Sequence, residues 1–435
     1  MINKKLPSMI QIREFGLLLN GGDKSDIDCH SITPSAFNWL LSNGQSSNEK
    51  SVELVRIKKY GKGIALQVVN YVGVLETPCG TRIEILPKIS DSDESDIIKK
   101  ILIKMLTTVN KLSLQQFEDS SLQTLKQPLF EILIGYFLHE IASIIKKGVR
   151  SDYNRMEERK SYLKGQLNTS KQIRQRPGYQ NRFYVSYDKF TSNRPENRLI
   201  HTALKQVLSW VKSSENLQLA KELLFALSDV PLSANYENDL KRWSKDRSLV
   251  HYREAKPWCE LILSYQSPLV TSGSYRGISF LFPMEVLFEK YVAERLKKAV
   301  LPDLRLNIQV SSHALVEHRS ARINKTEGWF KLRPDIVVKD VASDKVVFVA
   351  DTKWKRIDER LDTAKHKYGI SQSDMYQLLA YGNSYLGGCG TMYLIYPKQN
   401  KFTNPLPPFN YSAELRVIAI PYDLLTDDCE IVHLI

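Results

Sequence analysis

Two short apolar runs, each bordered by an aspartate, constrain this chain more than any other feature of it. The stretch Leu332 to Val338 holds Asp335 directly after Pro334, and the stretch Val346 to Lys355 runs through four apolar residues and Ala350 into Asp351, Thr352 and Lys353. Their Val and Ile content is that of buried β-strands. Side chains alternate along a strand, so Asp351 and Lys353 point to one face and Thr352 to the other. Pairing as a hairpin through the polar turn around Asp340 to Lys345 brings Asp335 beside Asp351, and the fixed φ of Pro334 sets the backbone direction where the first strand begins. Two carboxylates and an ammonium then converge at one edge of a sheet. That set suits metal-dependent phosphodiester hydrolysis. The carboxylates hold Mg²⁺, with Mn²⁺ as the expected substitute, the metal acidifies a water, and the lysine orients that water or offsets developing charge.

The flanking sequence supplies the rest of an α/β unit. An amphipathic helix over Ser371 to Tyr385 places Gln377 and Tyr381 four apart on one face. Upstream, Met284 to Leu296 reads as a helix whose Glu285 and Glu289 also share a face. Glu289 is the best helix carboxylate for a third metal contact, with Glu285 or Glu294 as substitutes. A strand over Thr391 to Tyr396 follows. Helix, strand, acidic hairpin, helix and strand form a coherent layered arrangement.

Pro334-Asp335, Asp351-x-Lys353 and Gln377-x-x-x-Tyr381 together resemble the PD-(D/E)xK nuclease superfamily, including the glutamine–tyrosine motif of its RecB-like branch. The wider text resembles the McrC family, the nuclease subunits of McrBC modification-dependent restriction systems. It does so in the words Asp351 to Lys355, Ser371 to Tyr381 and Tyr393 to Pro397, and in Tyr162 to Leu167, Tyr187 to Phe190 and Glu196 to Ile200. The similarity spans roughly residues 125 to 420. It implies a Mg²⁺-dependent DNA endonuclease of a phage-defence system, with Asp335 and Asp351 as metal ligands and Lys353 as the water-positioning or charge-stabilising group. Gln377 would support the site or contact the scissile strand, as would Tyr381. The implied partners are double-stranded DNA carrying a modified cytosine such as 5-methylcytosine and a hexameric, McrB-like AAA+ GTPase that recognises the modified base and translocates DNA. This subunit would cut the DNA and stimulate the GTPase.

Charge and composition agree with a nucleic-acid partner. The net charge of +13 favours an anionic ligand, and 43% hydrophobic residues are ordinary for a globular chain long enough for two or three domains. Residues 146 to 198 are the most basic part, with fourteen Lys and Arg against five Asp and Glu. Arg174, Arg176 and Arg182 stand there among Tyr153, Tyr162, Tyr179 and Tyr184. The pattern suits phosphate contact and stacking, and equally a solvated hairpin surface. The family resemblance adds a third reading, in which a projecting β-element over about 150 to 190 engages the centre of the hexameric partner.

The organisation expected is multidomain α+β. A small β-rich, sheet or barrel-like domain covers 1–95, with strands around Ile10, Val55, Ile64 and Ile83, and ends near the acidic stretch Asp91 to Asp96. A helical middle region covers 96–275 with the basic β-element inside it. An α/β PD-(D/E)xK domain covers 276–435. The five cysteines, at 29, 79, 259, 389 and 429, contain no C-x-x-C pair and read as reduced thiols. Arg13 and Glu14 interrupt the apolar run that a signal peptide needs, and the apolar stretch Phe130 to Ile145 contains His139 and Glu140, so a cytoplasmic protein with no membrane partner is expected.

Absences narrow the chemistry further. No phosphate-binding G-x-x-x-x-G-K-[ST] occurs, so nucleotide hydrolysis must come from a partner. The word His139-Glu140 lacks the second histidine of a zinc protease, and no nucleophile elbow supports a serine hydrolase. Two other classes fit the residues less well. A stand-alone RecB-like repair nuclease leaves the long N-terminal and middle regions without a role. A non-catalytic DNA-binding activator of an AAA+ motor should have lost at least one of Asp335, Asp351 and Lys353.

Overall fold

The computed structural model describes residues 9–44, 53–89, 95–112, 127–179, 181–244, 246–264, 279–320 and 325–433. The chain is a mixed α+β protein with several sheets, and it divides into two compact units. One combines Met1–Lys111 with Ser267–Ile435, and the other is Leu112–Gln266.

The first unit draws together the two ends of the chain, Met1–Lys111 and Ser267–Ile435. Strand Ser279–Pro283 pairs antiparallel with Tyr71–Glu76, so a segment from the C-terminal part of the chain completes a four-stranded N-terminal sheet. The approach is close. Gly73 has φ of +125°, and a Cβ there would lie 1.9 Å from the Phe280 carbonyl oxygen. Only glycine fits both constraints. Beside it lies a five-stranded sheet with Ser25–Asp26 and Val55–Tyr60 at its edges, open and not closed into a barrel. The core over these strands is built from Ile12, Leu18, Phe37, Leu66, Ile85 and Leu281. Helix Ser95–Val109 follows, and its expected stripe of Ile98, Ile101, Leu102 and Met105 is buried. Of the acidic stretch before it, residues 91–94 lie outside the described residues.

The C-terminal part of the same unit is a six-stranded mixed sheet. Strand Val346–Thr352 is central, antiparallel to Ile336–Asp340 on one side and parallel to Gly390–Pro397 on the other. The first two strands form the expected hairpin. Its turn is fixed by Asp340, whose Oδ1 accepts from the Ser343 amide and hydroxyl, both at 2.6 Å. Helix Gln372–Leu386 begins at Ser371, whose hydroxyl accepts from the Asp374 amide at 3.2 Å, and stops at Gly387 with φ of +63°. Its face of Leu378, Tyr381 and Tyr385 packs on Val337, Val349, Met392 and Leu394. Burying several such side chains, at about 25 cal/mol per Å² of apolar area, fixes the helix against the sheet. Helix Met284–Ala299 buries Leu287, Phe288, Tyr291 and Val292.

The second unit is helical, around Leu129–Lys147, Pro195–Trp210, Ser214–Ala226 and Ala255–Ser264. Its core takes in Phe137, Ile141, Leu199 and Trp258. From it comes the basic β-element, in which strands Asp152–Lys160 and Phe183–Thr191 pair antiparallel along their full length, from Asp152 with Thr191 to Lys160 with Phe183. Most of its side chains are exposed. Arg174, Arg176 and Arg182 stand exposed in the connection between the strands. Cations lie over aromatic rings, with Arg159 at 4.6 Å from the Tyr179 ring centre and Lys164 at 4.2 Å from that of Tyr187. Among the described residues no helix is long and apolar enough to cross a membrane.

Candidate active site

The register of the hairpin decides the geometry. Ile336 faces Ala350, which puts Asp335 level with Asp351 where the two strands run out of the sheet. Asp335 Oδ2 accepts two hydrogen bonds from Thr352, from the amide and from the hydroxyl, each 2.7 Å long. Strict alternation along the strand turns Thr352 to the opposite face from Asp351. Its hydroxyl reaches Asp335 all the same, because Asp335 lies just before its strand and is free of the pleat.

Asp351 is 1% exposed. Its Oδ2 lies 2.6 Å from Lys353 Nζ in an ion pair, yet no well-aligned hydrogen-bond donor reaches that buried oxygen. Burial pushes the Asp351 carboxyl up to about 7, the Asp335 charge adds to this, and Lys353 opposes it. Asp335 is raised too, chiefly by burial, against the Thr352 hydrogen bonds. For Lys353, burial acts against its charge, but Asp351, Asp335 and Asp374 outweigh it and the ammonium is held above its ordinary range. The ammonium also donates to Gln377 Oε1 at 3.2 Å. Gln377 Nε2 donates to the Tyr381 hydroxyl at 2.7 Å, and that hydroxyl donates to the Arg333 carbonyl at 3.0 Å, two residues before Asp335. Five side chains singled out from the sequence therefore meet in one place: Asp335, Asp351, Lys353, Gln377 and Tyr381.

Of the three helix glutamates, Glu289 is the one near the site. It is raised by burial and then by the charge of Asp335. Its Oε1 accepts from Gln309 Nε2 at 2.6 Å. Glu285 lies elsewhere, close enough to Glu14 and Tyr71 to raise both. Glu294 follows Glu289 by five residues, well over a quarter-turn round the helix, and so faces away from it. Among the described residues no group of three or more His, Cys, Asp and Glu side chains is arranged to hold a metal ion. What fits a cation is the chemistry of the donor pair: two carboxylates at one strand end, both raised chiefly by burial, with the charge of Asp335 raising Asp351 further and only the Lys353 ammonium beside the buried Asp351 oxygen. Arg174, Arg176 and Arg182 belong to the Leu112–Gln266 unit and are not part of this cluster.

Several contributors carry no local sequence signal. Thr352 and Gln309 position carboxylates, and nothing in their immediate sequence marks them. Tyr385 was within reach of periodicity, since Gln377, Tyr381 and Tyr385 recur every four residues on one helical face. Its hydroxyl lies 2.9 Å from the Val310 carbonyl and 3.2 Å from that of Leu332.

The profile of the family described as McrBC 5-methylcytosine restriction system component matches residues 66–397. The chain belongs to that family. Two solved structures resemble it. One is the half-complex from a tetradecameric assembly of Thermococcus gammatolerans McrB AAA+ hexamers with bound McrC, with a TM-score of 0.64 and 20% identity, covering 96% of this chain and 95% of that one. The other is the Thermococcus gammatolerans McrBC complex, with a TM-score of 0.51 and 18% identity, covering 68% and 88%. At such identities the likeness speaks for the fold. No curated protein matches the chain.

Proposed function

We propose that this chain is the Mg²⁺-dependent DNA endonuclease subunit of a GTP-dependent restriction complex. It would cut double-stranded DNA carrying modified cytosine together with a hexameric McrB-like AAA+ GTPase. The observation that carries the reading is the unbroken file Asp351, Lys353, Gln377, Tyr381 and the Arg333 carbonyl, which ties a buried carboxylate to a cation of fixed position. Family membership supports the restriction setting, and the resemblance to structures that contain McrB hexamers supports the partner.

Asp335 and Asp351 would hold the metal, with Glu289 turning to it once released from Gln309. Bound there, Mg²⁺ or Mn²⁺ would polarise the phosphate and acidify a water. The protein's own part is orientation. Thr352 engages one oxygen of Asp335 and leaves the other open. Lys353 stays cationic beside Asp351, placed to hold a water or to offset charge on the phosphate oxygens. Gln377 fixes the ammonium, and Tyr381 fixes the amide. The exposed hairpin of the second unit would engage the partner and stimulate its GTPase.

The test is cleavage of duplex DNA bearing 5-methylcytosine by the chain with its GTPase partner, GTP and Mg²⁺. Asp351→Ala and Lys353→Ala should each lower the rate by at least ~10²–10³-fold with partner binding retained. Mn²⁺ should substitute for Mg²⁺, and Ca²⁺ should do so poorly. Wild-type rates in either variant, or full activity in excess chelator, would end the reading.

A further inference from the structure

Between Gln309 and Asp335 the chain leaves the catalytic sheet, makes an excursion and returns. Strands Ala314–Ser320 and Lys325–Lys331 pair with each other, from Ala314 with Lys331 to Ser320 with Lys325, and form a two-stranded sheet of their own. Such a ribbon is marginal in water by itself. This one nevertheless holds large apolar side chains in solvent: Trp329 is 43% exposed, Phe330 71%, Leu315 53% and Val316 44%. The His318 ring lies against Trp329 with centroids 4.1 Å apart.

Both roots of the ribbon are fixed to the site. Gln309 donates to Glu289, and the Tyr385 and Tyr381 hydroxyls hold the carbonyls of Val310, Leu332 and Arg333. Gln309 and Phe330 also have positive φ, +49° and +56°, a conformation that non-glycine residues rarely adopt and that persists where the surroundings enforce it. The ribbon is therefore held firmly where it meets the catalytic residues. Its strands carry Arg319, Lys325 and Lys331 against Glu317 and Glu327, and Arg333 follows two residues past the second strand. At its foot lies a hollow of about 260 Å³ lined by Arg305, Asn307, Ser312, His313 and Lys339 among others.

We propose that this ribbon is a DNA-gripping arm that takes the duplex flanking the scissile phosphate. The inference rests on the nuclease reading above. A two-stranded ribbon has the width to enter a major groove. Trp329 and Phe330 meet the apolar base edges, the thymine methyl groups, while Lys331 and Arg305 meet phosphates. Aromatic side chains interleaved with cations suit nucleic acid, whereas the centre of a protein–protein contact is depleted in lysine.

The test uses the full chain carrying Asp351→Ala, so that binding is read without cleavage. Its affinity for a fluorescein-labelled duplex of mixed sequence is titrated with salt, and guanine N7 protection from dimethyl sulfate is mapped. Adding Trp329→Ala, Phe330→Ala and Lys331→Gln should weaken binding about tenfold, lower the salt slope by about one and remove the N7 protection. Circular dichroism and melting should match the parent, because these side chains lie in solvent. Unchanged affinity with unchanged protection overturns the proposal. So does unchanged affinity with a shift from dimer to monomer in sedimentation, which would make the ribbon a contact between copies of this chain. A wild-type chain that fails to cut with its partner would remove the nuclease reading and leave this binding result standing.

Discussion

The carboxylates of the six-stranded sheet and the arginines of the long hairpin are both concentrations of charge, but their surroundings differ. Asp351 is sealed from water and its carboxyl is pushed up to about 7, with Lys353 set by three hydrogen-bonding neighbours in succession. On the hairpin, Arg174, Arg176 and Arg182 are exposed, in the company of Ile173 at 84% and Tyr153 at 68% exposure. Charges in a low-dielectric site interact strongly and alter one another's protonation. Charges in water are screened, act over about a Debye length and depend on salt. The first arrangement suits chemistry at one atom, and the second suits recognition over a surface.

Neutralising the hairpin is the strongest test of that contrast. Arg174→Gln, Arg176→Gln and Arg182→Gln together should collapse stimulation of the partner's GTPase, roughly tenfold or more, while duplex affinity of the isolated chain changes little. If the segment is instead a DNA surface, the slope of log affinity against log salt should fall by up to about three and stimulation should survive. Steady-state GTP hydrolysis and a salt titration of binding separate these outcomes. The second result would place DNA recognition on the hairpin and break the comparison.

A smaller effect is expected inside the site. Tyr381→Phe removes the hydroxyl that accepts from Gln377 and donates to the Arg333 carbonyl. A hydrogen bond of this kind contributes about 1 kcal/mol, so single-turnover cleavage should fall about fivefold with DNA affinity unchanged. Gln377→Ala should lower it more, and the double variant should be no slower than Gln377→Ala, since both act through Lys353. Additive losses would show that the tyrosine acts by a separate route.

The parts of this molecule that could be read in advance are those encoded locally. Asp335, Asp351 and Lys353 are marked by strand alternation and a turn, and Gln377 and Tyr381 by helical period. The buried stripes of Ser95–Val109 and Leu129–Lys147 follow from the same rule. Contacts set by distant pairing were not legible. Nothing near Ser279–Pro283 announces that it will pair with Tyr71–Glu76, and the requirement for glycine at 73 exists only once Phe280 has arrived. The role of Gln309 depends on a left-handed backbone that an ordinary loop glutamine does not advertise. Glu289 was chosen by helix face, which puts it near Asp335, but no helix rule foretells that Gln309 holds it.

The smallest expected effect concerns Glu14, a buried carboxylate outside the candidate site. It is 0% exposed, its Oε2 accepts from the Trp354 indole at 2.8 Å, and its Oε1 has no hydrogen-bond donor. Burial raises its carboxyl from 4.5 to about 7, the charge of Glu285 adds to this, and the Trp354 hydrogen bond opposes it. The folded state thus binds this proton more tightly than the unfolded chain does. The stabilisation is complete below about pH 4.5, shrinks as pH rises, and is gone above about pH 7. Glu14→Gln keeps an oxygen for Trp354 and cannot ionise. The variant should melt close to wild type at pH 4.5 and higher than wild type at pH 8, by about 2–4 °C, with cleavage unchanged. Melting curves across that range measure the gap directly. A gap that does not vary with pH would mean that Glu14 stays ionised in the folded protein, and that burial alone does not set the charge state of carboxylates in this unit.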